Sequence, residues 1–373
     1  MMTRHMSDTI DALVIGAGII GSSIAYQLAE LGLCVVICDE SKNLGDGISG
    51  RNSSVLHSGI YYKDHSKKLE HCLRGYRDSL QFFETHQIPY RICGKLITNG
   101  NDQTKESLSQ LERLYEQGRS RDIPGGIDWV SDVDRKYPFI CGSHAIWVPC
   151  TGVVDTITYL KTLWRRLEGM GVILLKHRQF VIEAGEPFLV DMSDSRRKDQ
   201  ISSSVYINAS GLATDTIARQ FGVEGYEIRP NKGEYYRLNK KLPMDFLVYP
   251  LPHRSSSALG VHYTFNIAGE CYAGPSSLWA HSKSDYEFET SQRDFYQSLS
   301  NITTFYQEKD LREGYVGLRP RLFYQGEPLS DFVIHTSKDL YHSIHLLGIE
   351  SPGLTSAPSI AREVCDLVMN ARR

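Results

Sequence analysis

The stretch DALVIGAGIIGSSIAYQLAELGLCVVICDE (residues 11–40) decides the fold. It begins with an apolar strand at 13–15, passes through a glycine-rich turn into a helix with apolar residues at helical spacing, and ends with a second apolar strand at 33–38. Gly32 is placed to end the helix. Because an unbroken apolar strand is typical of a parallel sheet buried on both faces, the stretch predicts one βαβ unit.

The glycine turn of this unit reads G-A-G-I-I-G and has the spacing of a dinucleotide-binding fingerprint. Its first glycine permits the tight turn, its second lets backbone approach a pyrophosphate, and its third lets helix and strand pack closely. A carboxylate at the end of the second strand can accept from both ribose hydroxyls and would repel a 2′-phosphate, which argues against NADP. The residues expected to bind the dinucleotide here are Gly16, Gly18, Ile19, Ile20, Gly21, Asp39 and Glu40. This motif does not separate NAD from FAD.

Composition places the chain among globular proteins and excludes several classes of function. The 373 residues are 41% hydrophobic and 23% charged, and the formal net charge is -3. No basic field is available to attract nucleic acid, so a nucleic-acid partner is not expected. An anionic substrate must instead be held by a few local cations.

Cysteine usage and the chain start bear on metal binding and location. The eight cysteines form neither a C-x-x-C pair nor a His/Cys cluster, so we expect no metal site and a reducing compartment. The segment MMTRHMSDTI lacks the apolar core of a signal peptide, and no run of 18 apolar residues follows. We therefore expect a cytoplasmic protein, either free or resting on the surface of the inner membrane.

The rest of the chain predicts an α/β protein with an α+β part. Residues 123–138 are rich in turn formers, and short strands between polar loops over 226–324 predict a mostly antiparallel sheet, with one such strand at 258–264. SPGLTS (351–356) is predicted to form a turn. The predicted helices beyond the first cover 66–88, 103–120, 156–170, 291–307 and 357–369.

Dinucleotide-type features occur at both chain ends, which predicts a discontinuous Rossmann-like domain. We assign 1–93, 146–225 and 325–373 to this dinucleotide-binding domain. The substrate domain, built mostly of antiparallel β-structure, then comprises 94–145 and 226–324.

A second motif, SGRNSSVLHSGIYY (49–62), follows the βαβ unit, and here the sequence resembles the glycine oxidase and D-amino acid oxidase superfamily of flavoproteins. Within that superfamily it is most similar to the L-2-hydroxyglutarate dehydrogenase family. The similarity continues in order through GKLI (94–97), TGVVD (151–155), NASGL (208–212), KGEYYRL (232–238), VYPLP (248–252), LGVHYT (259–264), GYVGLRPR (314–321) and GIESPGLTSAPSIA (348–361).

The resemblance implies FAD as cofactor. It places a polar turn along the diphosphate and ribityl chain, a histidine beside the flavin ring, and the start of the last helix at the flavin N1 and C2 carbonyl, where a helix N-terminus would stabilise negative charge. The further cofactor-binding residues that it implies are Ser49, Arg51, Asn52, Ser53, His57, Val181, Ser210, Gly211, Gly317, Gly348, Ser351, Pro352, Gly353, Leu354 and Thr355.

The resemblance also implies a 2-hydroxy dicarboxylate as the substrate. Arg319 matches the arginine that anchors the substrate carboxylate, and Arg321 or Lys232 could supply the second cation. The family commonly has arginine at the position of Lys232. A base must remove the hydroxyl proton, for which His57 and His262 are the candidates, while Tyr249 and Tyr61 could hydrogen-bond the substrate.

Three questions stay open at this point. An amino acid oxidase acting on glycine, sarcosine or a D-amino acid would share the fold and the anchoring arginine. A dinucleotide-binding protein without turnover would share the fingerprint. The electron acceptor, quinone or oxygen, and the number of subunits have no signature in the sequence.

Overall fold

The computed structural model describes residues 10–252 and 260–372. The helices in this part of the chain are α1 (Ile19–Glu30), α2 (Lys67–His86), α3 (Lys105–Arg119), α4 (Val133–Lys136), α5 (Thr156–Gly169), α6 (Thr214–Gln220), α7 (Gln292–Ser300) and α8 (Gly353–Ala371). Three single 3₁₀ turns occur at Ile48–Gly50, Gly211–Ala213 and Glu308–Asp310.

The strands are β1 (Ile10–Ile15), β2 (Val35–Asp39), β3 (Val55–Leu56), β4 (Tyr90–Ile92), β5 (Lys95–Thr98), β6 (Asp128–Ser131), β7 (His144–Val148), β8 (Gly152–Val154), β9 (Ile173–Lys176), β10 (Arg178–Glu183), β11 (Glu186–Asp191), β12 (Lys198–Gln200), β13 (Ser203–Asn208), β14 (Tyr226–Leu238), β15 (Leu247–Pro250), β16 (His262–Phe265), β17 (Cys271–Gly274), β18 (Leu278–Trp279), β19 (Leu311–Tyr324), β20 (Glu327–Leu329), β21 (Val333–Ser337) and β22 (Ser343–Leu347).

A six-stranded sheet carries the glycine fingerprint. Its order is β21-β22-β13-β1-β2-β9, and all of its pairs are parallel except β21 with β22. β1 is bordered by β2 and β13, so the turn that follows β1 opens at the middle of the sheet. Helices α1, α5 and α8 pack together beside it. This arrangement confirms the predicted βαβ unit and the Rossmann-like fold class.

A ten-stranded sheet forms the second layer. Its order is β20-β19-β14-β17-β16-β15-β5-β7-β6, with β18 paired to β14 at the side. Neighbouring strands are antiparallel except β15 and β5, which run parallel. The predominantly antiparallel sheet predicted for the second half of the chain is therefore confirmed, and β5 to β7 from the first half extend it.

Several predicted boundaries differ from the observed ones. The last helix begins at Gly353, not at 357, so residues predicted to form a turn make up its first turn. Helix α7 ends at Ser300, since a hydrogen-bonded turn and loop occupy the rest of the predicted 291–307 span. The turn-rich stretch 123–138 also contains β6 and α4, because β6 pairs with β7.

The domain assignment stays a prediction. The six-stranded sheet draws on all three segments assigned to the FAD-binding domain, and the predicted boundary at residue 146 falls inside β7, a strand of the larger sheet. Residues 1–9, 258 and 259, on which parts of the predictions depend, lie outside the described residues. Over 10–252 and 260–372, no helix combines the length and the apolar character needed to span a bilayer.

Candidate active site

A cavity of about 620 Å³ lies between the two large sheets, within the range of cofactor pockets. It runs from the glycine turn after β1 to the start of α8 and the strand β19. The predicted cofactor-binding residues that line it are Gly16, Gly18, Ile19, Ile20, Asp39, Glu40, Ser49, Arg51, Asn52, Ser53, His57, Ser210, Gly211, Gly317, Ser351, Pro352, Gly353 and Leu354. Residues from both chain ends therefore meet at one cavity.

The glycine turn end of the cavity is built from backbone. Gly16 has a φ of +103°, and a Cβ at this position would lie 2.5 Å from the carbonyl oxygen of Ala209, so only glycine fits. The Asp39 carboxylate accepts the backbone N–H of Ala17 at 2.7 Å, and the Ser49 hydroxyl accepts that of Ile19 at 2.9 Å. These bonds hold the turn and the start of α1 open toward the cavity.

The polar turn after β2 is tied to the ten-stranded sheet. The Tyr315 hydroxyl donates to the carbonyl of Asn52 at 2.9 Å. Gly317 lies so close to this turn that a Cβ on it would be 2.1 Å from the carbonyl oxygen of Arg51. The polar turn and β19 therefore meet at the cavity wall, which Arg51, Asn52 and Gly317 line.

The start of α8 forms the other end. Ser351 to Leu354 line the cavity, and Thr355 accepts the backbone N–H of His57 through its hydroxyl at 3.0 Å. The Ser351 hydroxyl lies 3.1 Å from Nε2 of His57. His57 and the start of α8, each predicted to lie beside the flavin ring, are therefore adjacent in the structure.

Four predicted cofactor-binding residues in the described part of the chain do not line the cavity. Thr355 supports His57, as above, and Gly21 packs α1 on the turn, since a Cβ there would lie 1.9 Å from the carbonyl oxygen of Gly16. Val181 follows Phe180, which does line the cavity, and Gly348 follows β22.

One face of the ten-stranded sheet carries a row of polar side chains. In the parallel pair of β5 and β15, Ile97 is opposite Tyr249, so their side chains point to the same face. Lys95 is two residues before Ile97 and therefore lies on that face as well. His262 stacks on Tyr249, with ring centroids 3.8 Å apart and an interplanar angle of 16°. Tyr235 and Arg319 lie on the same face of β14 and β19, and both line the cavity.

Five buried polar atoms in this region have no hydrogen-bond partner within the described residues. We call this group the unpaired cluster: Nδ1 of His57, the hydroxyls of Tyr61 and Tyr249, Nζ of Lys95 and Nε2 of His262. The Lys95 amino group lies 4.5 Å from the ring centre of Tyr61 and 4.8 Å from that of Tyr249. Buried polar groups are normally paired, so a concentration of unpaired ones indicates a site where a ligand supplies the partners.

Arg319 is one of four cationic residues that line the cavity, with Arg51, Arg178 and Lys283, and it is the one that belongs to the ten-stranded sheet. Its guanidinium donates to neutral acceptors, Oδ1 of Asn231 at 2.6 Å and the carbonyl oxygen of Ser276 at 3.0 Å. No carboxylate in the described chain forms an ion pair with it, and burial lowers its pKa. Its positive charge is therefore available to an anion in the cavity.

The two residues predicted to supply a second cation already have carboxylate partners. Asn231 on β14 is paired with Arg319 on β19, so their side chains share one face of the sheet. Lys232 is the next residue along β14, and its side chain therefore points to the opposite face. There it contacts Asp285 at 2.9 Å, Glu289, and the carbonyl of Glu287 at 3.0 Å. Arg321 pairs with Glu350 at 2.9 Å.

The environment of Lys232 also contains the residue types of a metal site. His281, Asp285 and Glu289 lie close enough to share an ion. The Lys232 ammonium neutralises the two carboxylates there, and although burial lowers its pKa, hydrogen bonds to Glu289 and Asp285 raise that pKa overall.

Both candidate bases are held neutral. Burial lowers the pKa of His57 to about 3, with a smaller contribution from the charge of Lys95. Burial likewise lowers the pKa of His262 to about 3, although a hydrogen bond to the carbonyl of Gly260 opposes the shift, and Lys95 and Arg319 add to it.

Sequence reasoning missed several residues of the site. Tyr235 and Tyr286 line the cavity, and the Arg51 guanidinium lies 4.4 Å from the ring centre of Tyr286. Lys95 belongs to the unpaired cluster. In the sequence, the indication for Lys95 was a charged residue at the start of the largely apolar strand KLIT.

Comparison with known proteins places this chain among flavoenzymes. The family described as "FAD dependent oxidoreductase" matches residues 11–367. L-2-hydroxyglutarate dehydrogenase from Indibacter alkaliphilus is 27% identical over 95% of this chain and 97% of that protein. The mitochondrial L-2-hydroxyglutarate dehydrogenase of Caenorhabditis briggsae is 30% identical over 78% of this chain and 69% of that protein.

Solved structures show the same fold. The FAD-bound L-alpha-glycerophosphate oxidase of Mycoplasma pneumoniae superposes with a TM-score of 0.85 at 21% identity, covering 97% of this chain and 95% of that chain. Glycine oxidase from Geobacillus kaustophilus gives 0.78 at 16% identity, covering 96% and 94%. The cavity fits FAD, because a glycine turn that tolerates no Cβ stands at one end and a helix N-terminus at the other. The chain therefore belongs to the FAD-dependent oxidoreductase family, with FAD as its cofactor, in the branch that contains the L-2-hydroxyglutarate dehydrogenases.

Proposed function

We propose that this protein oxidises L-2-hydroxyglutarate to 2-oxoglutarate. The observation that carries the proposal is a half-buried arginine without a carboxylate partner in the described chain, which lines the cavity together with His57 of the unpaired cluster. An arginine in that state suits a carboxylate ligand, because its planar fork matches two carboxylate oxygens. The names of the relatives support a 2-hydroxy acid as the molecule that brings this carboxylate.

Oxidation at C2 removes a hydride and a proton and converts the C–O single bond into a carbonyl. FAD, when bound, supplies the acceptor for the hydride. The protein's own part is to hold the C1 carboxylate with Arg319, to keep water away from C2, and to take the hydroxyl proton.

His262 is the base that the geometry favours. Its Nδ1 lies 3.0 Å from the carbonyl oxygen of Gly260, and a carbonyl only accepts, so Nδ1 carries the proton. Its Nε2 then presents a lone pair, and no described residue donates to that lone pair. Nε2 of His57 is instead hydrogen-bonded to the Ser351 hydroxyl. This contact suits a positioning role for His57 beside the flavin ring.

A negatively charged substrate would also raise the low pKa of His262. Burial and two nearby cations hold that pKa down, and two carboxylates on the ligand would offset the cations. This offset removes only the part of the lowering that the cations cause, while the larger part, which is due to burial, remains.

Amino acid oxidation is the second candidate, because the glycine oxidase structure shares the fold and an amino acid would present the same carboxylate to Arg319. The neutral histidines favour the hydroxy acid. An amino acid can lose its ammonium proton to solvent before it reacts, whereas an alcohol needs a base in the site.

An anaerobic absorbance experiment tests the proposal. The purified yellow protein is mixed without air with L-2-hydroxyglutarate, its D enantiomer, glycine, sarcosine or D-alanine, and the flavin band is followed. We expect rapid bleaching by L-2-hydroxyglutarate alone. Bleaching by an amino acid would establish the second candidate, and a cofactor that no compound in the set bleaches would contradict the proposal.

A further inference from the structure

Two lysines of the ten-stranded sheet are fully buried, and their surroundings differ. Lys95 on β5 and Lys232 on β14 are both 0% exposed. Lys232 has two carboxylates and a carbonyl around its ammonium group. The Lys95 amino group has no hydrogen-bond partner anywhere in the described chain.

A buried ammonium without an anion is unfavourable, and proteins rarely retain one without a use for it. The faces of Tyr61 and Tyr249 offer Lys95 partial compensation through their π electrons. They leave its three N–H donors unused, and the hydroxyls of both tyrosines are unused as well. The three side chains together form a set of donors that a carboxylate would satisfy.

The position of Lys95 relative to Arg319 points to an anion with two charged ends. Arg319 is on β19 and Lys95 on β5, and their side chains lie on the same face of the ten-stranded sheet. His262, on β16, lies between them in the strand order, and its pKa is lowered by both charges. Cations on either side of the candidate base in the strand order suit an anion that carries a charge at each end.

We propose that Lys95, with the hydroxyls of Tyr61 and Tyr249, binds the distal carboxylate of a dicarboxylate substrate and so selects the substrate by its second charge. This inference rests on the proposed function, which assigns the carboxylate next to the oxidised carbon to Arg319. It places His262, the base, between the two anchored ends. Lys232 and Arg321 take no part, because each already has a carboxylate partner.

The protonation state of Lys95 agrees with this role. Burial lowers the pKa of Lys95 to about 8, with the neighbouring Cys150 and Cys72 opposing the shift. The amino group is therefore mostly charged at neutral pH and ready for an anion. A bound carboxylate would raise the pKa again.

Substitution of Lys95 tests the assignment with two matched substrates. L-2-hydroxyglutarate and L-2-hydroxypentanoate differ only in the distal group, a carboxylate or a methyl. We expect Lys95→Met to lower the preference for the dicarboxylate, measured as the ratio of kcat/KM values, roughly 30-fold. Lys95→Arg, which keeps the charge, should restore part of the preference.

A binding measurement gives a readout independent of turnover. The affinities of the oxidised, FAD-loaded protein for 2-oxoglutarate and 2-oxopentanoate are compared by calorimetry. The wild-type protein should bind 2-oxoglutarate more tightly, and Lys95→Met should bind the two alike. If Lys95→Met does not yield folded, yellow protein, Lys95→Gln is measured in the same way.

The outcomes separate this inference from the proposed function. If the wild-type protein prefers L-malate to L-2-hydroxyglutarate, and Lys95→Met removes its preference for L-malate over L-2-hydroxybutyrate, the substrate is wrong and the role of Lys95 stands. If Lys95→Met keeps the wild-type preference, or if Lys232→Met removes it instead, the role of Lys95 is wrong and the function stands. A wild-type protein with no preference for any dicarboxylate would overturn both.

Discussion

A buried lysine lies on each face of the ten-stranded sheet, and the two lysines have opposite surroundings. On one face Lys232 is enclosed by Asp285, Glu287 and Glu289, and every donor has an acceptor. On the other, Lys95 shares the unpaired cluster with two tyrosines and two histidines. The first face is complete without a ligand and serves stability, while the second is incomplete without one and serves binding.

Arg319→Met should produce the largest effect on the binding face. Removing the guanidinium takes away the bidentate anchor for the C1 carboxylate, and we expect kcat/KM for L-2-hydroxyglutarate to fall roughly 10³-fold. Arg319→Lys, with the charge but without the fork, should give an intermediate loss. Steady-state kinetics measures both, and a loss below tenfold in Arg319→Met would show that the anchor lies elsewhere.

His262→Phe should slow the chemical step and leave binding nearly intact. The phenyl ring can keep the stacking on Tyr249 but offers no lone pair to the hydroxyl proton. We expect bleaching at saturating L-2-hydroxyglutarate to be about 100-fold slower in anaerobic stopped-flow experiments.

His57→Ala is the companion variant. It should also slow bleaching more than it weakens FAD binding, since His57 lines the cavity beside Ser351. If His57→Ala slows bleaching far more than His262→Phe does, the roles of the two histidines are exchanged.

Lys232→Met should affect stability and not selectivity. It leaves the carboxylates of Asp285 and Glu289 without their cation, and because Glu289 is partly exposed, we expect a loss of about 2 kcal/mol in the free energy of unfolding. Urea titration measures this loss. Lys95→Met is the matched control, and it should be as stable as the wild type or more stable, because it removes an uncompensated buried charge. Equal destabilisation by both substitutions would mean that the two faces do not differ.

The pH dependence of dicarboxylate binding is the smallest of these effects. Only the protonated Lys95 amino group attracts the distal carboxylate, and its pKa in the free protein is about 8. The KM for L-2-hydroxyglutarate should therefore stay constant below about pH 8 and rise up to tenfold per pH unit above it.

Other groups around Lys95 do not interfere in that pH window. Burial raises the pKa of Cys150 to about 11, and it raises the pKa values of Cys72, Tyr61 and Tyr249 as well. L-2-hydroxypentanoate should show no such rise in KM. A parallel rise for both substrates would assign the titration to another group.

Local sequence determined the cofactor half of this protein. The glycines, strand and helix of residues 11–40 are contiguous, and each has a steric requirement that residue type alone reveals, as the missing space for a Cβ at Gly16 shows. The ends of the predicted elements were less accurate, because the start of α8 at Gly353 depends on contacts made after the chain folds.

Tertiary structure decided the substrate half. The sequence offered Lys232 and Arg321 as the second cation that a dicarboxylate needs beside Arg319, but the alternation of side chains along β14 places Lys232 on the other face. The place of Lys95 in the site follows only from the pairing of β5 with β15, which lies about 150 residues further along the chain. Whether a charge is paired depends on its neighbours in space, and the sequence lists only its neighbours along the chain.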